Sequence, residues 1–288
     1  MSAPVLIFGA GGQVGQALLA HAAAAGFEAK GFSSREADVT DLNCLRGIAK
    51  SYPDAAVINA GAYTAVDKAE EDRERAFAVN ATGPAFLAAA FGDRPIIHYS
   101  TDYVFPGDGK TPYQEDDETR PLGVYGLSKR VGEMALLNAP RASVIRTAWV
   151  YSETGHNFLK TMVRVGRERG ALRVVDDQRG TPTHASDIAA ASFSLLDAMS
   201  RDPGAAGMYH YTASGETTWF GFAKAIFAAL AEQTGTDVTV EPINSAEYPT
   251  PAARPAYSVL DGHKIESVLG LKRPAWESRV AATVAAVL

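Results

Sequence analysis

The sequence predicts an α/β fold, with a doubly wound parallel sheet followed by a smaller, irregular C-terminal domain. Short apolar runs alternate with helical segments through the first 150 residues, and a glycine-rich turn joins the first run to the first helix. After residue 151 the alternation weakens and prolines gather. Strands that alternate with helices imply a parallel sheet covered on both faces. We therefore expect one domain at 1–150 and a second at 151–288, with 183–200 returning to the first.

The strands and helices of the first domain can be assigned in order. We predict strands at 5–8, 28–32, 55–62, 95–105 and 142–151, and all of these except 28–32 are mainly apolar runs. Helices are predicted at 16–26, after the N-cap Asp41, from Arg73 to Ala90 and after Tyr125. The second domain would reach over the carboxyl ends of these strands, where open α/β sheets bind their ligands.

The composition excludes several classes of function. The 288 residues carry a net charge of -6 without a cluster of Lys and Arg, so we expect no nucleic-acid partner. Cys44 is the only cysteine and the six histidines are scattered, which argues against disulfides and a protein-ligated metal. No apolar run approaches the roughly 18 residues that span a bilayer, and we expect no signal peptide because the N-terminal apolar run is too short for one. We expect a cytoplasmic protein with no membrane partner.

A glycine-rich turn follows the first predicted strand directly. Gly9, Gly12 and Gly15 form the pattern G-x-x-G-x-x-G at the start of the first helix. Glycines let the backbone approach a diphosphate, whose charge then meets the N-terminus of the helix. The alternative is a turn that only packs the strand on the helix. The strand–turn–helix context favours the first reading, a Rossmann-type dinucleotide-binding domain at 1–150.

The end of the second strand bears on the choice of cofactor. Folds that prefer NAD usually carry an acid here, which hydrogen-bonds the ribose 2′-hydroxyl. This chain has Ser33, Ser34 and Arg35, which could hold a 2′-phosphate, with Glu36 as a less favourable neighbour. The alternative is a solvated turn. The sequence favours NADPH, with NADH possible.

Tyr125 and Lys129 lie four residues apart in the stretch VYGLSKRVGE. This spacing places both side chains on one helical face, where the lysine is expected to lower the tyrosine pKa from about 10. Taken alone, the pair could equally be two solvated side chains. Its context decides between these readings.

That context is a resemblance to the extended short-chain dehydrogenase/reductase family. The glycine turn, NAGA at 59–62, Asn80, the strand end YSTDYVF and the Tyr–Lys pair carry it. Segments such as HYSTDYVFPGDGKTPYQEDD, PLGVYGLSK and VVDDQRGTPT extend it over nearly the whole chain. The resemblance implies NAD(P)H-dependent reduction of the C4 ketone of dTDP-4-dehydro-L-rhamnose to dTDP-L-rhamnose, in dTDP-rhamnose biosynthesis, with the nucleotide-sugar bound by the domain at 151–288.

The resemblance also implies roles for matching residues. Tyr125 is the expected proton donor, Thr101 hydrogen-bonds the sugar carbonyl, and Lys129 holds the nicotinamide ribose. Asn80 is expected to support a helix and a water. Besides Tyr125 and Lys129, the residues expected against the cofactor are Gly9, Gly12, Gln13, Val14, Gly15, Ser33, Arg35, Asp38, Val39, Ala60, Gly61, Ala62 and Tyr99.

The nucleotide-sugar is expected to contact Thr101, Asp102, Trp149, Asn157 and Arg254. For Arg254 the reason is chemical, because a guanidinium group matches the oxygens of a diphosphate. Each residue also has a structural reading. Thr101 and Asp102 could be strand-end and turn residues, Trp149 could belong to the core, and Arg254 and Asn157 could be surface residues.

Two other functions stay open at this point. One is an epimerase or dehydratase acting on another nucleotide-sugar, although dehydratases usually add an acidic pair where this chain has TDYVF. The other is a non-catalytic regulatory subunit of the methionine adenosyltransferase type. The presence of Thr101, Tyr125 and Lys129 weighs against it.

The resemblance bears on assembly as well. Metal-bridged dimers of the family hold magnesium through carboxylates near the first helix and near the segment GTPT. The matching positions here are Ala17 and Ser186, and neither offers the carboxylate that a hard cation prefers. Asp187 follows Ser186, but on a helix it points about 100° away. We expect a monomer, or a dimer that is not bridged by a metal.

Overall fold

The central element is a six-stranded parallel sheet, seen in a computed structural model that describes residues 3–288. Its strands lie in the order β10-β5-β4-β3-β1-β2, and every neighbouring pair is parallel. They span β1 Val5–Phe8, β2 Ala29–Phe32, β3 Ala56–Asn59, β4 Ile96–Thr101, β5 Ala142–Thr147 and β10 Met208–His210. The predicted doubly wound α/β sheet is confirmed.

Helices cover both faces of this sheet. In chain order, the α-helices of residues 3–288 are α1 Gln13–Ala25, α2 Leu42–Ser51, α3 Val66–Ala69, α4 Arg73–Phe77, α5 Gly83–Phe91, α6 Val124–Leu136, α7 Phe158–Arg169, α8 Ala185–Arg201, α9 Trp219–Thr234, α10 His263–Leu269 and α11 Val280–Val287. Side chains of β1 alternate between the two faces: Val5 and Ile7 pack with α1 and α8, while Leu6 and Phe8 pack with α2 and α5. This alternation follows from the two-residue period of a strand.

The order of the strands reverses between β1 and β3. From β1 the chain passes to β2 on one side, whereas β3, β4 and β5 follow one another on the other side. Such a reversal opens a crevice at the carboxyl ends of the strands. The glycine turn follows β1 and Thr101 ends β4, so both predicted parts of the site lie along this edge.

A second group of elements lies after residue 150. The short strands pair as β6 Val150–Tyr151 with β9 Thr183–His184, β8 Arg179–Gly180 with β11 Thr217–Thr218, and β7 Ala171–Val175 with β12 Thr239–Ile243. Helices α7, α9 and α11 share their own hydrophobic cluster with β7. However, α8 packs on α1, and β10 joins the central sheet beside β5. The predicted division at residue 150 therefore omits β10 from the first domain, because its strand is too short to recognise from the sequence.

Three predicted elements differ in detail from the structure. The strand predicted over 142–151 is interrupted, because Trp149 has a left-handed backbone with φ 48°. The strand predicted over 95–105 ends at Thr101, whose hydroxyl accepts a hydrogen bond from Tyr103 N and starts a 3₁₀ turn. The helix predicted from Arg73 to Ala90 contains a π-helical segment, Ala78–Thr82.

Among residues 3–288, no helix has both the length and the apolar character needed to cross a membrane. The cytoplasmic location expected from the sequence stays a prediction.

Candidate active site

The glycine turn is closely packed on one side and open on the other. A Cβ atom on Gly9 would lie 2.4 Å from Gly61 N, and one on Gly15 would lie 2.2 Å from Gly9 O. A Cβ on Gly11 would meet no atom within 4 Å. Helix α1 begins at Gln13, and no side chain caps its first N–H groups. Exposed amides at a helix N-terminus bind anions, so this turn fits the diphosphate of a dinucleotide.

The turn after β2 holds the residues expected at the adenosine end of the cofactor. Ser33 donates from its backbone N (2.8 Å) and from its hydroxyl (2.7 Å) to Glu36 Oε2. These hydrogen bonds lower the pKa of Glu36, so this carboxylate is charged at neutral pH. Arg35 is exposed, and no carboxylate in residues 3–288 forms an ion pair with it. The Ser33 hydroxyl is thus occupied by Glu36, and the expected contact of Arg35 with a 2′-phosphate stays a prediction.

Asp38 and Val39 lie one step further along this edge. Asp38 accepts hydrogen bonds from Thr40 N (2.9 Å) and from the Thr40 hydroxyl (2.8 Å), and the first of these is the main reason that its pKa is lowered. Arg75 lies 3.6 Å from the same carboxylate. The side chain of Val39 is buried against Gly83. Asp38 therefore shapes a turn, which leaves its expected contact with the adenosine as a prediction.

The segment that follows β3 is held in place by two residues that the sequence did not point to. Asn59 Oδ1 accepts a hydrogen bond from Gly61 N (3.0 Å), and Asn59 Nδ2 donates to His98 Nδ1 (3.0 Å). Burial lowers the pKa of His98 well below its usual value, so its imidazole is neutral. Asn59 and His98 thereby fix the Ala60–Ala62 backbone beside the glycine turn.

Lys129 lies on α6 and is almost completely buried. Its Nζ donates to the backbone carbonyl of Tyr99 (2.5 Å) and lies 3.3 Å from His98 Nε2. Burial lowers its pKa to about 8. Tyr99 faces the other way: its hydroxyl lies 2.5 Å from Ser192 Oγ in the core. The ring of Tyr99 is thus directed to the core while its carbonyl faces Lys129, and the expected position of Tyr99 beside the nicotinamide stays a prediction.

Tyr125 and Thr101 are brought together across the site. Burial raises the pKa of Tyr125 to about 12, and the Thr101 side chain opposes this increase. From the sequence we expected Lys129 to lower the tyrosine pKa, whereas the pKa is raised and Lys129 is not among its causes. The Lys129 ammonium group is directed at the Tyr99 carbonyl, so burial determines the Tyr125 pKa.

Asp102 is buried next to Thr101. The Thr101 hydroxyl donates to Asp102 Oδ1 (2.9 Å), whereas Asp102 Oδ2 has no hydrogen-bond partner among residues 3–288. Burial raises the pKa of this carboxyl group to about 6. A buried acceptor without a partner is costly and occurs at functional sites more readily than elsewhere. The expected contact of Asp102 with the nucleotide-sugar stays a prediction.

Asn80 supports α6 from the π-helical segment. Its side chain exchanges hydrogen bonds with the backbone of Tyr63 (2.8 and 3.0 Å) and donates to Ser128 Oγ (3.0 Å). Glu70 Oε1 accepts from Val124 N (2.9 Å) at the first turn of α6. These two residues hold the helix that carries Tyr125 and Lys129. Asn80 was expected from the sequence as a supporting residue, whereas no pattern pointed to Glu70.

Trp149 stacks on Trp219, with ring centroids 3.5 Å apart and planes 6° from parallel. Gly180 lies beneath the indole of Trp149, where a Cβ atom would come within 2.4 Å of Cε2. Trp219 also contacts the ring of Phe158, at 4.7 Å between centroids. The sequence pointed to Trp149 alone, since Trp219 is distant in the chain.

Arg254 is held at the edge of the site by Asp67. Its Nη2 donates to Asp67 Oδ2 (2.7 Å), and its guanidinium lies 5.8 Å from the centre of the Tyr103 ring. Its Nη1 is buried without a hydrogen-bond partner among residues 3–288. Arg254 Nη1 thus has no acceptor within the described chain, and the expected contact of Arg254 with a diphosphate stays a prediction.

Asn157 differs from the expectation. It caps α7 by accepting from Lys160 N (3.0 Å), and its Nδ2 donates to Gln13 Oε1 and Ser152 O, each at 2.8 Å. Both polar atoms of the amide are used within the chain, which leaves it no free group for the nucleotide-sugar. The structure gives Asn157 a role in the loop instead.

The fold and this site define an NAD(P)-binding protein of the extended short-chain dehydrogenase/reductase class. The diphosphate cradle follows β1, and Thr101, Tyr125 and Lys129 gather at the carboxyl end of β4 and on α6. The chain belongs to the dTDP-4-dehydrorhamnose reductase family: the family model described as the RmlD substrate binding domain matches residues 3–288. The resemblance inferred from the sequence is confirmed.

Individual relatives agree with this assignment. The chain is 44% identical over 256 residues to dTDP-4-dehydrorhamnose reductase of Sinorhizobium fredii, covering 86% of each chain. It is 42% identical over 264 residues to a probable dTDP-4,6-dihydroxy-2-methyloxan-3-one 4-ketoreductase of Streptomyces antibioticus, covering 90% of this chain and 86% of the relative. The crystal structure of dTDP-4-dehydrorhamnose reductase from Bacillus anthracis in complex with NADP matches with a TM-score of 0.91 at 32% identity, over 98% of this chain and 99% of that one.

Proposed function

We propose that this chain is an NADPH-dependent oxidoreductase that reduces the C4 ketone of dTDP-4-dehydro-L-rhamnose to dTDP-L-rhamnose. The observation that carries the proposal is that Thr101 at the end of β4 lies near Tyr125 and the buried Lys129 of α6, at the sheet edge that also holds the diphosphate cradle. Membership of the reductase family supports the same activity.

The residues of the cradle fit a nicotinamide dinucleotide. The N–H groups of the first turn of α1 would bind the diphosphate, and Arg35 would bind a 2′-phosphate. The NADP complex of the Bacillus anthracis relative supports NADPH as the cofactor. When bound, this cofactor supplies the hydride, which is chemistry that side chains do not provide. Lys129, with Nζ beside the Tyr99 carbonyl, would hold the nicotinamide ribose.

The proton for the reduction comes from Tyr125 in this proposal. Thr101 donates a hydrogen bond to the C4 carbonyl oxygen, which stabilises the charge that develops there. Tyr125 then transfers its phenolic proton to that oxygen and leaves the product as an alcohol. General acid catalysis of this kind contributes about 10²- to 10⁴-fold in rate. The pair of hydroxyls therefore accounts for both the polarisation of the ketone and its protonation.

A second substrate is supported by one comparison. The Streptomyces antibioticus relative is a probable 4-ketoreductase of a different dTDP-sugar, yet its identity to this chain is nearly as high as that of the reductase relatives. The common feature is a ketone at C4 of a dTDP-linked deoxysugar. The residues named above would act on that group in either substrate.

The experiment is an assay of NADPH oxidation with the two dTDP-4-keto sugars, followed by identification of the products by chromatography. We expect turnover with dTDP-4-dehydro-L-rhamnose and conversion to dTDP-L-rhamnose. Preference for the other sugar would move the assignment to the second substrate. Tight NADPH binding without turnover of either sugar would instead indicate a non-catalytic regulatory protein. Conversion of a sugar without net oxidation of NADPH would indicate an epimerase or dehydratase.

A further inference from the structure

The side chain of Gln13 leaves the diphosphate cradle and enters a loop of the C-terminal part. Gln13 is the first residue of α1, so its backbone belongs to the cradle. Its Oε1 accepts hydrogen bonds from Asn157 Nδ2 (2.8 Å) and Ser152 Oγ (3.0 Å). Nothing in the proposed reaction uses this contact. It nevertheless joins the two halves of the chain next to the site.

The loop is built around the Gln13 side chain. It runs from the end of β6 to the start of α7, at residues 152–157. Gly155 has a φ of 69° and passes so close to Gln13 that a Cβ atom would lie 2.8 Å from Gln13 Cγ. Ser152 and Asn157 are buried, although both are polar. Their shared acceptor is the carboxamide oxygen of Gln13, so the position of this side chain determines how the loop sits on α1.

The loop leads directly to the aromatic residues of the substrate side. Asn157 is the N-cap of α7, and Phe158 is its first residue. The ring of Phe158 packs on Trp219, which in turn stacks on Trp149. Each contact in this path is a direct packing or hydrogen-bond contact. Together these contacts connect the anion-binding end of α1 to Trp149, which is expected to contact the nucleotide-sugar.

We propose that Gln13 is a positioning residue that couples binding of the cofactor to binding of the nucleotide-sugar; this proposal rests on the proposed function. A diphosphate bound to the first N–H groups of α1 immobilises the residue that carries the Gln13 side chain. The immobilised carboxamide then holds Asn157 and the start of α7, and with them the Phe158–Trp219–Trp149 stack. A contiguous set of contacts of this kind is a coupling path only if both ligands bias it, which a binding experiment can decide.

The proposal makes a reciprocal prediction. If NADP⁺ raises the affinity for the nucleotide, then the nucleotide must raise the affinity for NADP⁺ by the same factor. Typical coupling factors are roughly 5- to 150-fold. The loss of the Gln13 oxygen leaves Asn157 Nδ2 bonded to Ser152 O and Ser152 Oγ bonded to Thr154 O. The loop should therefore stay folded in a Gln13→Ala variant while the coupling disappears.

The test is isothermal titration calorimetry with dTDP as the nucleotide probe, in the presence and absence of saturating NADP⁺. For the unmodified chain we expect the Kd of dTDP to fall at least fivefold when NADP⁺ is present. The ratio of the Kd of dTDP without NADP⁺ to its Kd with NADP⁺ should fall toward one in Gln13→Ala and in Ser152→Ala. Gln13→Glu keeps an acceptor for both donors, so its ratio should stay near that of the unmodified chain even where the added charge weakens NADP⁺ itself.

Gln16→Ala is the matched control, because Gln16 lies on the same helix but donates to Gly11 O (2.9 Å) instead of contacting the loop. Its ratio should be unchanged. A second readout is hydrogen exchange at 152–158, which NADP⁺ should slow in the unmodified chain and not in Gln13→Ala. The proposal is overturned if the unmodified chain shows no coupling, if Gln13→Ala keeps the full ratio, or if Gln16→Ala loses it equally. Because these are binding measurements, a failure of the proposed function would show separately, as absence of turnover in the NADPH assay.

Discussion

The hydroxyl of Thr101 donates a hydrogen bond to the carboxylate of Asp102 over 2.9 Å. Both residues are buried, and Tyr125 lies near them. An ionised Asp102 therefore holds the proton that Thr101 would otherwise direct at a substrate ketone. A protonated Asp102 can donate to Thr101 and free that proton. The charge on Asp102 thus determines whether the Thr101 hydroxyl can donate a hydrogen bond to the substrate ketone.

The first prediction concerns the pH dependence of kcat/KM. Burial raises the pKa of Asp102 to about 6, so ionisation above this pH should turn the Thr101 hydroxyl away from the substrate and lower kcat/KM. A second decrease is expected above pH 8, where Lys129 loses its charge. In Asp102→Asn the amide can donate to Thr101 at every pH, so the transition near pH 6 should vanish while that of Lys129 remains. The measurement is kcat/KM from pH 5 to 9 for both proteins, and a transition near pH 6 that persists in the variant would exclude Asp102 as its origin.

The second prediction concerns stability. The carboxyl pKa of Asp102 rises from 3.8 to about 6 on folding, so the native state favours the protonated form. Stability from this group is present below pH 4 and is lost as the pH rises through 6. The free energy of unfolding of Asp102→Asn should therefore be about 3 kcal/mol higher than that of the unmodified chain at pH 8, with little difference at pH 4. Urea denaturation at both pH values measures this.

Asp38 provides the control for the stability experiment, because its pKa is lowered in the folded state. Stability from this group is present above its unfolded pKa and is lost as the pH falls through the folded value. Asp38→Asn should accordingly weaken the protein at pH 8, in the opposite direction to Asp102→Asn. If both variants had a higher free energy of unfolding at pH 8 than the unmodified chain, negative charge at this edge, rather than the burial of Asp102, would account for the effect.

The third prediction concerns the choice of cofactor. Arg35 is the free cation of the turn after β2, so Arg35→Ala should raise the KM for NADPH about tenfold and leave that for NADH nearly unchanged. Glu36→Gln should act in the opposite direction, because it removes a negative charge and releases the Ser33 hydroxyl. Initial rates with the two cofactors at a fixed sugar concentration measure both effects. Equal changes for NADPH and NADH would remove these residues from the 2′-phosphate site.

The fourth prediction concerns assembly. Ala17 and Ser186 line one cavity of about 400 Å³, together with Arg279. Asp187, the neighbouring carboxylate, is bonded to that arginine (2.8 Å), which opposes its use as a magnesium ligand. We expect a monomer, or a dimer without a bridging metal, whose mass by light scattering is the same with magnesium and with a chelator. A dimer that dissociates when magnesium is removed would contradict this expectation.

Local sequence features predicted much of the fold and part of the site. Apolar runs predicted β1, β3, β4 and β5, because burial on both faces leaves a continuous apolar signal. The strand β2 was also predicted, although Lys30 within it is exposed. The spacing of Tyr125 and Lys129 placed both on α6. Contacts between distant segments left no such signal. The pair Arg254 and Asp67, which lie 187 positions apart, follows from no local pattern.

The direction of the Tyr125 pKa was wrong for a related reason. The sequence placed Lys129 on the same helical face, but it could not show that the Tyr99 carbonyl accepts from the ammonium group. Burial of the phenol then dominates, and its pKa rises to about 12. The sequence could likewise not show the stacking partner of Trp149, because Trp219 comes from a distant segment of the chain.

The central claim is that Tyr125 supplies the proton in the reduction of a C4 ketone. The most direct test is a single-turnover measurement of NADPH oxidation with dTDP-4-dehydro-L-rhamnose, in which Tyr125→Phe is compared with the unmodified chain. Phenylalanine keeps the ring and removes only the proton donor, so NADPH binding should be retained while the rate falls about 10²- to 10⁴-fold. A rate within a few-fold of the unmodified chain, with cofactor binding intact, would contradict the claim.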